Sequence, residues 1–176
     1  MPFQPSYAKL AVPKKISATL RSMSHEKPSP IPLRGRAEIM ERLEIASAKR
    51  LLIADAPPQF ETLLAAGLAP EQSLTPIEAR ALRSVKDSFD WMLLWQESRV
   101  GSRAVLDTAL KRLEPAGRLW VVTVLRKVQG PRTPAAHRLE PGDIAKAFEK
   151  SGLVGDREAR LSAWHVAHRF TRRAPG

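Results

Sequence analysis

An open, mostly parallel α/β sheet flanked by helices and closed by an antiparallel C-terminal strand pair is the fold this chain predicts, on three observations. Short apolar runs without alternation, at residues 51–56 and 89–96, read as strands buried on both faces. Segments with helical apolar spacing separate them, which is the β-α-β order of a parallel sheet. The last two runs, 158–164 and 166–172, follow one another with no helix between, and pair most simply as an antiparallel edge.

Each element has its own signal. Ile39, Met40, Leu43 and Ile45 sit close to helical spacing among charges, so a short amphipathic helix leads into the fold. After the first strand comes a helix over 60–67, with Gly67 as its C-terminal stop. Residues 72–75 form a short strand, and 76–85 a helix with Pro76 in its first turn. Val105, Leu106, Ala109, Leu110 and Leu113 mark a helix over 102–113, closed by Glu114-Pro115-Ala116-Gly117. A strand over 118–125 and a helix over 141–152, led by Ile144, Ala147 and Phe148, complete the pattern before the final pair.

The chain of 176 residues is 43% apolar and 27% charged, enough for one domain with a real core. Residues 1–35 form a basic, proline-containing arm or linker with at most one short helix, over 14–23. Residues 36–176 form the α/β domain. Absence of cysteine excludes disulfides, thiolate metal sites and cysteine nucleophiles. No apolar run approaches the roughly 20 residues that span a bilayer, and no secretory h-region is present, so the default location is the cytoplasm.

The net charge is +11, from 29 Lys and Arg against 18 Asp and Glu. Lys9, Lys14, Lys15 and Arg21 all precede the first acid, Glu26. Such an arm is drawn to nucleic acid, an acidic protein surface or an anionic lipid surface, and serves equally as a solubilising tail. An acid-poor basic start also fits an organellar transit peptide, although Pro2, Pro5 and Pro13 interrupt it.

The segment Leu52-Ile53-Ala54-Asp55-Ala56-Pro57-Pro58-Gln59-Phe60 reads as strand, tight turn and helix start. Together with Phe89-Asp90-Trp91-Met92-Leu93-Leu94-Trp95, Leu113-Glu114-Pro115-Ala116-Gly117-Arg118-Leu119-Trp120-Val121-Val122 and Ser162-Ala163-Trp164-His165-Val166-Ala167-His168-Arg169-Phe170, it resembles a shortened class I methyltransferase-like, Rossmann-like fold. More closely, residues 43–173 resemble a family of small bacterial proteins of unknown function that carry this domain. The resemblance also runs through Arg126-Lys127-Val128-Gln129-Gly130 and Ser151-Gly152-Leu153-Val154. It implies a fold and assigns no reaction.

In that fold the first turn is glycine-rich and an acid ends the second strand, to hold S-adenosylmethionine. Here the turn is Asp55, Ala56, Pro57, Pro58 and Gln59, the candidate cofactor-binding residues, and proline adds bulk and removes amide donors. Glu71 and Glu78 flank the second strand. Ligands in such sheets bind beyond the strand C-termini, so the other positions of interest are 96–99 and 126–130. There Arg126 and Lys127 form a basic loop suited to a phosphate or carboxylate, or to solvent alone. Ser98 or Ser102 caps the helix after the third strand. Asp90 lies at the wrong end of its strand for chemistry.

Trp91, Trp95, Trp120 and Trp164 are expected in the core rather than on a stacking platform. His165 and His168 point to opposite faces of a strand and make no joint metal site; His25 and His137 lie in loops. No Ser-His-Asp, Walker or zinc signature is present. The sequence therefore favours a non-catalytic module without cofactor, meeting an acidic partner or nucleic acid through the arm and Arg169, Arg172 and Arg173. The alternative is an S-adenosylmethionine-dependent methyltransferase with an atypical cofactor turn.

Overall fold

The computed structural model describes residues 32–173. Six strands, β1 (Arg50–Ala54), β2 (Ser73–Ile77), β3 (Phe89–Trp95), β4 (Leu113–Val124), β5 (Leu153–Arg160) and β6 (His165–Arg172), form one sheet in the order β2-β1-β3-β4-β6-β5. Strands β1 to β4 pair parallel, whereas β6 runs antiparallel to both β4 and β5. The final hairpin is thus the expected edge pair, with β5 outermost. Helices α1 (Arg36–Arg42), α2 (Pro58–Ala65), α3 (Ser102–Leu110) and α4 (Pro141–Phe148) cover the faces.

Alternation along each strand divides the core in two. On one side Leu51, Ile53, Trp91, Leu93, Trp120 and Val122 pack against Ile39 and Leu43 and against Phe60 and Leu64 of α2. On the other, Leu52, Met92, Leu94, Leu119 and Val121 meet Leu106 and Ala109 of α3 and Ile144 and Phe148 of α4. The unalternating runs are the strands that bury both faces. Trp91, Trp95 and Trp120 are buried as expected, and Trp91 donates Nε1–H to the Leu43 carbonyl at 2.9 Å. Asp90 accepts the amides of Lys49 and Arg50, both at 2.8 Å, and so fixes the start of β1.

Several boundaries differ from the sequence reading. Pro76 belongs to β2, opposite Ile53, and not to a helix. An edge strand tolerates proline because one side of it has no ladder to complete. Only a short 3₁₀ turn, Ala79–Ser84, follows. Gly67 follows the C-cap Ala66 of α2, as expected of a helix stop, but without left-handed backbone, and the Met40 side chain packs 2.9 Å from where a Cβ would lie. Residues 114–117 begin β4 with an irregular register instead of ending α3. Strand β5 starts at Leu153, five residues before the expected position, and Trp164 is only half-buried.

Leu33 bridges to Ser162, and the Arg34 amide donates to the Leu161 carbonyl at 2.8 Å. The expected helix over 14–23, together with Lys9, Lys14, Lys15, Arg21 and His25, lies outside the described residues.

Candidate functional site

The turn after β1 is sharp without glycine. Asp55 takes the left-handed conformation (φ 55°), which aspartate tolerates better than most residues. Its amide donates to the Ile77 carbonyl at 3.0 Å and its Oδ1 accepts the Ala79 amide at 2.8 Å, tying the turn to the end of β2. Ala56 is buried, Pro57 is the N-cap of α2 and Pro58 its first residue. The amides of Phe60 and Glu61 both return to the Pro57 carbonyl, at 2.8 and 3.2 Å. Gln59 completes the first turn.

Because β2 runs to Ile77, Glu78 is the residue that ends it. Its carboxylate pairs with Arg80, both side chains being largely exposed. In the sequence Glu78 only flanks an indistinct strand, because the proline inside β2 conceals its register.

Beyond β3 the rim is more tightly built. Gln96 reaches the Ser98 carbonyl, and the Ser98 hydroxyl accepts the Val100 amide at 3.1 Å. Neither serine caps α3: its N-cap is Gly101, and Ser102 Oγ donates to the Arg99 carbonyl. Glu97 accepts from His165 Nε2 at 2.7 Å, Trp95 Nε1 at 3.2 Å and Thr133 Oγ1 at 2.9 Å. Burial raises its carboxyl pKa, but the hydrogen bonds led by His165 outweigh burial and hold it below the usual range.

His165 is buried, with its ring 4.8 Å from Trp95. Ser162 Oγ accepts the amides of Trp164 and His165, both at 2.9 Å, which fills its lone pairs. Its proton therefore points to His165 Nδ1 at 3.1 Å, and Nε2–H of the imidazole donates to Glu97. Serine, histidine and carboxylate adjoin, yet the serine is 2% exposed and fully engaged, so it is no nucleophile.

His168 faces the other side of β6, as the spacing predicts. Its Nδ1 lies 3.1 Å from Glu158 and its Nε2 3.1 Å from Thr123 Oγ1. The carboxylate fixes the proton on Nδ1, so Nε2 accepts the threonine hydroxyl. Burial pushes the imidazole pKa down, and the attraction of Glu158 offsets only part of that.

The basic loop after β4 is shaped from within. Arg138, 7% exposed, donates to the carbonyls of Thr133, Leu125, Arg126 and Val128 at 2.8–3.1 Å. Arg126 is exposed, 3.6 Å from Glu140, and Lys127 is exposed as well. Gly130 has φ 114°, and a Cβ there would lie 2.6 Å from the Trp164 ring, so only glycine fits. Arg169 is not the exposed cation the sequence suggested. It forms a bidentate pair with Asp156 (2.7 and 2.9 Å) and a second pair with Glu44, its side chain 15% exposed. Burial opposes ionisation of Glu44, but Arg169, Arg157 and Arg118 together hold its pKa down.

Among the described residues no group of three or more His, Asp or Glu is arranged to hold a metal, and no helix is long and apolar enough to cross a membrane. No family model and no curated protein matches the sequence. Solved structures do match. A SAM-dependent methyltransferase from Aquifex aeolicus superposes with a TM-score of 0.63 at 10% identity, over 78% of this chain and 89% of that one. The N-methyltransferase NodS from Bradyrhizobium japonicum gives 0.54 at 18% identity, over 79% and 94%. An O-methyltransferase family protein from Burkholderia thailandensis gives 0.53 at 14%, over 78% and 57%. The chain has a class I S-adenosylmethionine-dependent methyltransferase-like fold.

Proposed function

We propose that this chain binds S-adenosylmethionine over the C-terminal ends of β1 and β2 and acts as a methyltransferase with an atypical cofactor turn. The observation that carries the reading is Glu78. It stands directly past β2, beside the turn that follows β1, where the fold calls for an acid to accept the ribose hydroxyls. Asp55 supplies by its left-handed backbone the reversal that a glycine supplies elsewhere, and its side-chain bond to Ala79 keeps the two strand ends together.

The fit is incomplete in one respect. Pro57 and Pro58 carry no amide hydrogen, so the start of α2 offers fewer donors to the methionine carboxylate. Arg80 also competes for Glu78, although an exposed pair of this kind contributes only ~1 kcal/mol or less. When bound, the cofactor supplies an electrophilic methyl group on a sulfonium. The chain's own residues hold its ribose and close the turn beneath it.

Isothermal titration with S-adenosylmethionine and S-adenosylhomocysteine tests the reading. Saturable binding is expected, weakened roughly 10- to 100-fold in Glu78→Ala, since a hydrogen bond to a charged group contributes ~1.5–3 kcal/mol. Pro57→Gly with Pro58→Gly is expected to tighten it. No heat from either ligand at millimolar concentration overturns the proposal.

A further inference from the structure

A cleft of about 530 Å³ opens on the α4 side of the sheet, between the strands β4, β6 and β5 and the loop that joins β4 to α4. It lies two strand spacings or more across the sheet from the turn after β1, on the order of 10 Å, and shares no lining residue with that turn. A neighbouring cavity shares Pro141, Glu158 and His168 with it and extends the opening along β5.

The floor of the cleft is polar. Thr123 is 1% exposed and His168 5%, and they bond to each other, with the His168 proton held on Nδ1 by Glu158. Its walls are apolar, from Val124, Leu125, Leu139, Pro141 and Val166. Its charge is unbalanced: Arg42, Arg126, Arg138 and Arg160 line it against Glu140 and Glu158. Arg42 pairs with Glu38, and Arg126 lies near Glu140. The other two guanidiniums are held by neutral groups: Arg138 by backbone carbonyls, Arg160 by the carbonyls of Ser162 and Ala163. Carbonyls satisfy the donors and leave the positive charge uncompensated.

From this geometry we infer that the cleft binds a small organic anion, a carboxylate on an apolar body, with its head toward the guanidiniums and its body against the apolar walls. The volume lies within the range of small-ligand pockets. The planar fork of an arginine matches a carboxylate in a way that a neutral head cannot reproduce. Arg126 is the rim residue able to close on the head, because its partner at 3.6 Å is loose and its side chain is 79% exposed. His168 and Thr123 spend their protons on Glu158 and on each other, so the floor offers a carboxylate no free donor and the head stays at the guanidiniums.

The full chain, labelled for histidine NMR, tests this by titration with benzoate, phenylacetate and isovalerate, alongside benzyl alcohol and inorganic phosphate. The expected result is saturable binding of at least one carboxylate, with the His168 ring signals moving and those of His165 unmoved. Benzyl alcohol and phosphate should each bind roughly tenfold more weakly or not at all. Arg126→Gln, on an exposed side chain that leaves the fold intact, should weaken the carboxylate about fivefold. Failure of all three carboxylates overturns the inference. So does equal binding of the alcohol or of phosphate, a shift centred on His165, or indifference to Arg126→Gln.

Discussion

Two histidines three residues apart on β6 share the same kinds of neighbours and differ in what surrounds them. His165 joins a serine and a glutamate on one face of the sheet; His168 joins a threonine and a glutamate on the other. The wiring is reversed. His165 takes the hydroxyl on Nδ1 and gives Nε2–H to the carboxylate, whereas His168 takes the hydroxyl on Nε2 and gives Nδ1–H. The decisive difference is closure. The Glu97 side chain is 23% exposed, and it is also bonded to Trp95 and Thr133. Glu158 is 67% exposed, and its histidine lines a cleft. A constellation of side chains is a lock when other segments seal it, and a site when they leave it open.

The largest expected effect separates the two. His165→Ala strips a partner from Glu97 and from Ser162 and hollows the contact with Trp95, and is expected to cost roughly 3 kcal/mol in urea unfolding. His168→Ala leaves Thr123 and Glu158 able to reach cleft water and is expected to cost roughly 1 kcal/mol. Equal costs, or a larger one at His168, would break the comparison.

Gly130→Ala comes next. It forces a positive-φ alanine against the Trp164 ring, which packs beside His165, and is expected to cost roughly 2 kcal/mol by the same measurement. A neutral result would mean that the loop is not part of the seal.

The smallest effect is a pH dependence that sharpens the contrast. His168 has a folded pKa below its ordinary 6.5, so the unfolded chain binds the proton more readily. Its contribution to stability is complete above 6.5 and is lost as pH falls toward the folded value. Glu97, Glu44 and Asp156 are also held low, and their contributions begin to fade only nearer the ordinary carboxylate values of 4.5 and 3.8. A melting-temperature profile should therefore decline in two stages. In His168→Ala the upper stage should shrink, and an unchanged profile would assign it to another group.

What could be read in advance was whatever a short stretch of chain encodes. The runs in β1 and β3, the amphipathic helix α3 and the adjacent final strands each reveal themselves within a dozen residues, because burial of one element sets its own periodicity. Opposite facing of His165 and His168 follows from the two-residue period of a strand alone. Strand β2 was blurred because an edge strand is half-exposed and tolerates Pro76, and the polar stretch Asp156-Arg157-Glu158 hid the early part of β5 in the same way.

The sites belonged to the other category. Glu97 meets Thr133 and His165, 36 and 68 residues away, and the cleft gathers side chains from the loop after β4, from α4 and from both strands of the final hairpin. Sequence by itself determined the layered α/β architecture, since each strand and helix must bury its own apolar face. Only the tertiary structure decided which charges are spent, as with Arg169 on Glu44 and Asp156, and which stand over an open cleft, as with Arg138 and Arg160. Neutralisation depends on separation in space, and separation along the chain does not report it.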